Sequence, residues 1–372
     1  MLRKTVQYGL TLAGGDGMSG SHRRTSQWWS WLLSVASVMA VVLAATPAYA
    51  SPSAPPVPAA PHPPTDPLAT VSQVGPQIVD IDTKMGYQSA VGAGTGIVID
   101  PNGVVLTNNH VIAGATDITA RDIGNNQTYP VEVIGYDRTH DVAVLQLGGA
   151  SGLPVANIGD SSAVAVGDPI VSLGNAGGAG GTPSAVSGKV VALNQTVSAS
   201  DSLTGSSETL DGLIQVDAPI RPGDSGGPTV NAGNQVIGMN TAASENYKLG
   251  RGEGFAIPIN QAMAIAGQIR SGAASPTVHI GPTGFLGVGV SDSQNGQGAA
   301  VVRVLRDAPA AQAGVMPGDR IVSVDNNPVN SATALTNILD QHHPGDTIAL
   351  GLQTGGGAPR TANVTLAPGP PG

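Results

Sequence analysis

The run Gly223-Asp224-Ser225-Gly226-Gly227-Pro228 is the strongest chemical signal in the chain. A serine used for acyl transfer must sit on a tight turn whose neighbouring N–H groups face the developing oxyanion, and flanking glycines let the backbone come that close. The same residues would also make an ordinary surface turn. A serine of ordinary pKa needs a base, so the question passes to the seven histidines. His22 and His62 fall in N-terminal segments that read as leader and linker, His279 lies between two compositional units, and His342 and His343 end a helix in the second of them. That leaves His140, in a polar stretch that reads as a solvated turn, and His110, in Thr107-Asn108-Asn109-His110-Val111 at the end of a strand. The third partner must be a buried carboxylate that fixes the imidazole tautomer. Asp141 precedes the apolar run Val142-Ala143-Val144-Leu145, which carries it inward, whereas Asp137 sits in a turn. Ser225, His110 and Asp141 are therefore the expected catalytic set.

The order His, Asp, Ser is the chymotrypsin arrangement, not that of subtilisin or the α/β-hydrolases. Four segments, TNNHVI (107–112), DRTHDVAVLQL (137–147), RPGDSGGP (221–228) and GFAIP (254–258), resemble the signature segments of the HtrA/Deg proteases, and the chain from about residue 70 onward is similar to the actinobacterial secreted PepA-type members. The resemblance implies a chymotrypsin-like double β-barrel with its site in the cleft between barrels, hydrolysis through an acyl-enzyme, and no requirement for ATP, a metal or another cofactor. Carried over by position, Gly223 and Ser225 supply the oxyanion N–H groups. Pro219 stands where an acidic S1 floor would select Arg or Lys, and Ile220, Thr241, Ala242 and Ala243 resemble the pocket wall, implying small or medium aliphatic side chains. The chain departs from the family at Glu253, where an apolar residue is usual, and at Asp224, where Asn is usual and for which an Asn-like turn role is expected. It also lacks aromatic residues between Leu68 and Lys84, where the family's trimers use them, so homo-oligomerisation stays open.

The elements needed to hold these residues are short strands and turns. Gly96 to Asp100 and Val104 to Thr107, joined by Pro101-Asn102-Gly103, read as a hairpin. Further strands are expected at 131–134, 141–147, 169–173, 189–193, 213–216 and 235–239, closed by a helix over 258–270, which makes a mostly β unit of two barrels. After 271–276 the pattern changes to a small α/β unit. It has strands near 286–290, 300–304, 320–324 and 347–352, a helix over 331–342, and a tail, 368–372, expected to be disordered. In this unit Phe285-Leu286-Gly287-Val288 resembles the carboxylate-binding loop of PDZ domains, and Ala308 to Val324 resembles their helix, turn and strand. Binding of peptide C-termini by strand addition is implied.

Composition fits and restricts this reading. Fifty-two Gly, 29 Pro and 3% aromatic residues suit many turns rather than long helices, and the absence of Cys excludes disulfides, a Cys nucleophile and Cys-ligated metals. A net charge of −9 without a basic block argues against nucleic acid as a partner. His22-Arg23-Arg24, an apolar run from Trp28 to Ala45 and Ala48-Tyr49-Ala50 form a signal-peptide pattern, with cleavage expected after Ala50 and translation better started at Met18. Removal of residues 1–50 leaves 12 basic and 24 acidic residues, a net charge of −12. The expected organisation is a leader over 1–50, a Pro/Ala-rich linker over 51–67, a protease domain over 68–275 and a PDZ-like domain over 279–367. The expected function is that of a secreted or cell-envelope serine endopeptidase acting on unfolded or extracytoplasmic proteins; a chaperone-like binder and a peptide-regulated, zymogen-like protease are the rivals.

Overall fold

The computed structural model describes residues 66–200, 207–241, 254–293, 297–354 and 357–372. The leader, nearly all of the linker, Ala242, Ala243 and Glu253 lie outside them. The described chain opens on helix α1 (Pro67–Val74), where Asp66 accepts from the Leu68 N–H at 3.0 Å and Pro67 occupies the first turn. Both residues suit a helix start, because the early N–H groups have no partner inside the helix.

Six strands then close the first barrel: β1 (Ile78–Met85), β2 (Ala90–Asp100), β3 (Val104–Thr107), β4 (Asp117–Asp122), β5 (Thr128–Asp137) and β6 (Val142–Leu147), with β5 pairing β6 across the seam. Helix α2 (Asn109–Ile112) follows β3 directly. A second barrel is closed by β7 (Pro169–Gly174), β8 (Ser184–Ser200), β9 (Ser207–Val216), β10 (Pro228–Val230), β11 (Val236–Thr241) and β12 (Gly254–Pro258). Successive strand residues point to opposite faces. In β1, β3 and β6, Val79, Ile81, Val105, Leu145 and Leu147 fill the first barrel. Their neighbours Ile78, Leu106, Val142 and Val144 turn outward into a core shared with Val171, Leu173 and Met239 of the second barrel and with helix α3 (Ile259–Arg270). Burial on both faces is why β6 reads as VAVL rather than as an alternating strand.

The chain leaves α3 and adds β13 (Val278–Ile280) to the first barrel, antiparallel to the end of β5, with Val278 opposite Asp137 and His279 opposite Tyr136. β14 (Thr283–Phe285) comes next, and then a sheet in the order β15 (Val288–Asp292), β16 (Ala299–Val304), β17 (Asp319–Val324), β19 (Thr347–Thr354), β20 (Arg360–Thr365), with the short β18 (Asn327–Pro328) beside β17. Helices α4 (Pro309–Gln312) and α5 (Ala332–Leu339) pack on it around Leu335, Ile321 and Leu350. The helix expected over 331–342 is shorter, with Ser331 as its cap, accepting from the Ala334 N–H at 3.0 Å. The strand expected over 286–290 starts only at Val288, because Gly287 turns the chain with φ +80°.

The tail expected to be disordered is ordered instead. Ala367–Gly369 form β21, paired with β14, and the Pro371 carbonyl accepts from the Gly114 N–H at 2.8 Å. Proline lacks an N–H but is tolerated on an edge strand whose donors face away, so composition alone misled. The junction is sealed by Asp340 at the end of α5, which accepts from the Tyr136 hydroxyl at 3.0 Å and pairs with Arg138 at 3.0 Å. The His279 ring stacks between Tyr136 and His343 at centroid distances of 5.0 and 4.9 Å. Burial pushes the Asp340 carboxyl up, and the Arg138 guanidinium opposes that shift. Removing the cation leaves a buried carboxylate without its charge partner. Arg138→Ala is therefore expected to lower stability by roughly 2–3 kcal/mol, below most broken buried pairs because this one keeps some exposure, as read by chemical denaturation. It should also speed limited proteolysis within 271–276.

Candidate active site

The two barrels carry different halves of the site. His110 stands on α2, just after β3 of the first barrel. Its own N–H donates to Asp141 Oδ1 at 2.9 Å, and its ring Nδ1 lies 2.8 Å from Oδ2 and 3.0 Å from Oδ1. Asp141 is not part of β6, as expected from sequence, but occupies the turn before it, in the left-handed region with φ +55°. Asn108 Nδ2 holds the Asp141 carbonyl at 3.0 Å, and the Thr241 hydroxyl donates to Oδ2 at 3.2 Å. The Asp141 side chain is 2% exposed and that of His110 37%. An ionised carboxylate only accepts, so Nδ1 carries the proton of the neutral ring and Nε2 is left as the acceptor, the tautomer a general base requires.

His140 and Asp137 form a second pair of the same kind, with Nδ1 2.8 Å from Oδ2. The two pairs differ in what stands behind the carboxylate. Asp137 accepts from Thr277 at 3.0 Å, in the connection between barrels and C-terminal sheet. Asp141 is held by Thr241, whose neighbour Asn240 takes the Gly226 N–H at 2.9 Å, beside Ser225.

Ser225 is 4% exposed in the turn between β9 and β10. The Asp224 N–H donates to the Arg221 carbonyl at 2.9 Å and the Gly227 N–H to the Asp224 carbonyl at 3.0 Å. Gly223 has φ +96°, and a Cβ there would overlap the Asn175 carbonyl oxygen. The Pro222 carbonyl accepts from the Gly177 N–H at 2.7 Å. Carbonyl and N–H point opposite ways across a trans peptide, so this bond turns the Gly223 N–H away from Gly177.

Asp224 is satisfied locally: Oδ2 accepts from the Arg221 N–H at 2.9 Å and Oδ1 from the Ser184 hydroxyl at 2.7 Å. Burial pushes this carboxyl up, against the lowering effect of those bonds and of Arg221. These are the contacts of a turn former. Thr241, placed by sequence on the pocket wall, spends its hydroxyl on Asp141, while Ile220 packs beside Gly254. Ala242 and Ala243 are outside the described residues. Sequence reasoning missed Asn108, Ser184 and Gly177. Asn108 could have been suspected from its place in TNNH; the other two reach the site only through long-range contacts.

In the C-terminal unit, Leu286 is buried, its carbonyl accepts from Ala310 at 3.0 Å, and that of Gly287 accepts from Leu305 at 2.9 Å. By the same trans-peptide geometry the Gly287 and Val288 N–H groups face the other way, and β15 that follows is an edge strand. Phe285 stacks on Tyr87, at the tip of the β1–β2 hairpin, at 5.0 Å, and an Arg303 guanidinium nitrogen donates to the Tyr87 carbonyl at 3.1 Å.

Residues 94–239 match the model of the trypsin-like peptidase domain and residues 284–366 that of the PDZ domain. Fold and matches together define a trypsin-like peptidase with an attached PDZ domain. The chain is 39% identical over 320 residues to the serine protease PepD of Mycobacterium tuberculosis, covering 81% of this chain and 66% of PepD. It is 34% identical to the putative serine protease HhoA of Synechocystis, covering 73% of this chain and 77% of HhoA. It is 36% identical to the periplasmic pH-dependent serine endoprotease DegQ of Escherichia coli, covering 74% of this chain and 59% of DegQ. A solved HtrA-type protease, AlgW with tripeptide, superposes with a TM-score of 0.48 at 28% identity, covering 82% of this chain and 98% of that one. The chain belongs to the HtrA family of serine proteases with a PDZ domain. Its match spans just under two thirds of PepD and less of DegQ.

Because Gly223 combines a left-handed φ with no room for a Cβ, Gly223→Ala must rotate the turn. It is expected to lower kcat for a peptide substrate by at least about 10²-fold, with the thermal midpoint changed far less, as measured by steady-state kinetics beside a melting curve.

Proposed function

We propose that the chain is a serine endopeptidase that cleaves peptide bonds through an acyl-enzyme, with Ser225 as nucleophile, His110 as general base and acid, and Asp141 as the carboxylate that orients and stabilises the imidazolium. The observation that carries this reading is the commitment of His110 Nδ1 to the buried Asp141 carboxylate, which leaves Nε2 as the proton acceptor. As Ser225 attacks a scissile carbonyl, its proton passes to His110 Nε2, and the oxyanion is held by the Gly223 and Ser225 N–H groups. Collapse returns the proton to the leaving amine, and water then repeats the sequence on the acyl-enzyme. Neither nucleotide nor metal takes part.

Pro219 in place of an acid, with Ile220 beside it, favours cleavage after small or medium aliphatic residues over Arg or Lys. The leader pattern, with cleavage after Ala50, supports export, in keeping with a relative named as periplasmic. Substrates are then unfolded or extracytoplasmic proteins. The N–H groups of Gly287 and Val288, the Phe285-Leu286-Gly287-Val288 loop and the edge of β15 support capture of peptide C-termini by strand addition. The stacking of Phe285 on Tyr87 favours a second reading, in which a bound peptide regulates the protease by competing for that loop.

If the three residues act as a unit, Ser225→Ala and His110→Ala should each lower turnover by about 10⁶, with the double variant scarcely worse than either. Asp141→Asn should cost on the order of 10⁴. His140→Ala should stay within a few-fold of the parent in casein hydrolysis. Loss of activity in His140→Ala with retention in His110→Ala reverses the assignment. A fluorophosphonate probe should label the parent and not Ser225→Ala; labelling only after peptide addition supports the regulated reading.

For the C-terminal unit, a peptide with a free carboxylate should bind at least about tenfold more tightly than its amide, because an N–H nest loses its anion. Calorimetry giving equal affinities excludes capture by the carboxylate.

A further inference from the structure

We propose that Thr95, on β2 of the first barrel, is a positioning residue for the oxyanion hole: its hydroxyl clamps the peptide plane that follows Gly223, which lies between the Gly223 and Ser225 N–H groups, and so fixes how those two groups stand relative to each other. The inference rests on the oxyanion role given to Gly223 above. Thr95 is fully buried, and its polar groups are all engaged at the barrel interface. The hydroxyl donates to the Gly223 carbonyl at 2.8 Å and accepts from the Asn175 N–H at 2.9 Å. The Thr95 N–H donates to the Ser225 carbonyl at 2.8 Å, and its carbonyl accepts from the Thr107 hydroxyl at 2.7 Å. One residue of the first barrel thus holds both carbonyls that flank Asp224, in a turn that belongs to the second barrel.

The need for such a clamp follows from the glycine. A residue with a Cβ resists rotation of its neighbouring planes by steric contact; Gly223 at φ +96° has no such barrier. Its two flanking planes must be set by hydrogen bonds. The plane before it is set by the Pro222 carbonyl on the Gly177 N–H at 2.7 Å, and the plane after it by Thr95. Asn175, the other donor near the Gly223 carbonyl, stands at 3.3 Å and is committed to the Thr95 hydroxyl, so it is a weak substitute. The same hydroxyl therefore ties the segment 175–181 to the nucleophile turn. That segment is further fixed by the Gly180 N–H on Asn175 Oδ1 at 2.7 Å and the Gly181 N–H on Asp80 Oδ2 at 3.2 Å, Asp80 lying opposite Thr95 across the β1–β2 pair. An isosteric methyl in place of the hydroxyl removes the donor for the Gly223 carbonyl and the acceptor for Asn175, while leaving volume unchanged and the backbone bond to Ser225 in place.

The test compares Thr95→Val and Thr95→Ser with the parent in the full chain, using a peptide substrate and a peptide boronic acid whose tetrahedral adduct needs the oxyanion site. Thr95→Val is expected to lower kcat about 10²-fold, as loss of an oxyanion donor does, and to weaken the boronic acid by a similar factor, with KM within threefold. Thr95→Ser, which keeps the hydroxyl, should recover kcat to within a few-fold. A folded Thr95→Val with kcat within threefold of the parent overturns the inference, as does a Thr95→Ser as impaired as Thr95→Val. If Thr95→Val does not fold, Thr95→Ala carries the same comparison: a loss confined to kcat supports the clamp and an unchanged kcat overturns it. Ser225→Ala is measured alongside. Turnover retained in that variant defeats the proposed function itself, whereas an inactive Ser225→Ala beside a fully active Thr95→Val defeats only the role of Thr95.

Discussion

The hydrogen bond from His110 Nδ1–H to the buried Asp141 carboxylate is the contact on which the remaining architecture depends. A charge at 2% side-chain exposure persists only if its lone pairs are taken up, and here they are, by the His110 ring and backbone N–H and by the Thr241 hydroxyl. The first two come from the barrel that carries Asp141, the third from the other barrel. The polar network that orients the imidazole is therefore also a fastening between barrels, beside the apolar core that the barrels share through Val142, Val144, Leu173 and Met239.

Much of this was legible in the sequence because it is local. The Pro101-Asn102-Gly103 turn, the TNNH run after a strand and the glycine-flanked serine each carry their geometry in a few consecutive residues. Both His–Asp pairs were also visible, but the sequence offers no way to tell them apart by contact, since the separating partners, Thr241 for Asp141 and Thr277 for Asp137, lie 100 and 140 residues away. Ser184 beneath Asp224 and Gly177 beside Pro222 were hidden for the same reason. The VAVL run makes Asp141 read as the first residue of a strand, yet φ +55° takes it out of the ladder, and its carboxylate meets His110 on α2. The PGPPG tail is ordered against its composition, because composition reports what a segment does alone, not what a pairing partner such as β14 offers it.

The C-terminal unit meets the first barrel through groups that are individually modest, among them an ion pair, a phenol, two ring stacks and a strand of three residues. Their arrangement matters more than their number. Asp340 and His343 follow α5, the helix that flanks β15, and Tyr136 and Arg138 lead into the turn that ends at Asp141. The proposed peptide groove and the proposed catalytic carboxylate are thus each a few residues from the same junction.

β13 gives that junction a further property. A connection made of unpaired chain would let the C-terminal unit wander, and a substrate gripped there would meet the protease at a concentration set by linker length. Here the middle of the connection, Val278–Ile280, is paired residue by residue with β5, and only two residues separate it from β14. Were a polypeptide held at the proposed groove beside β15, it would be offered to the proposed site from an anchored point rather than from a tethered one.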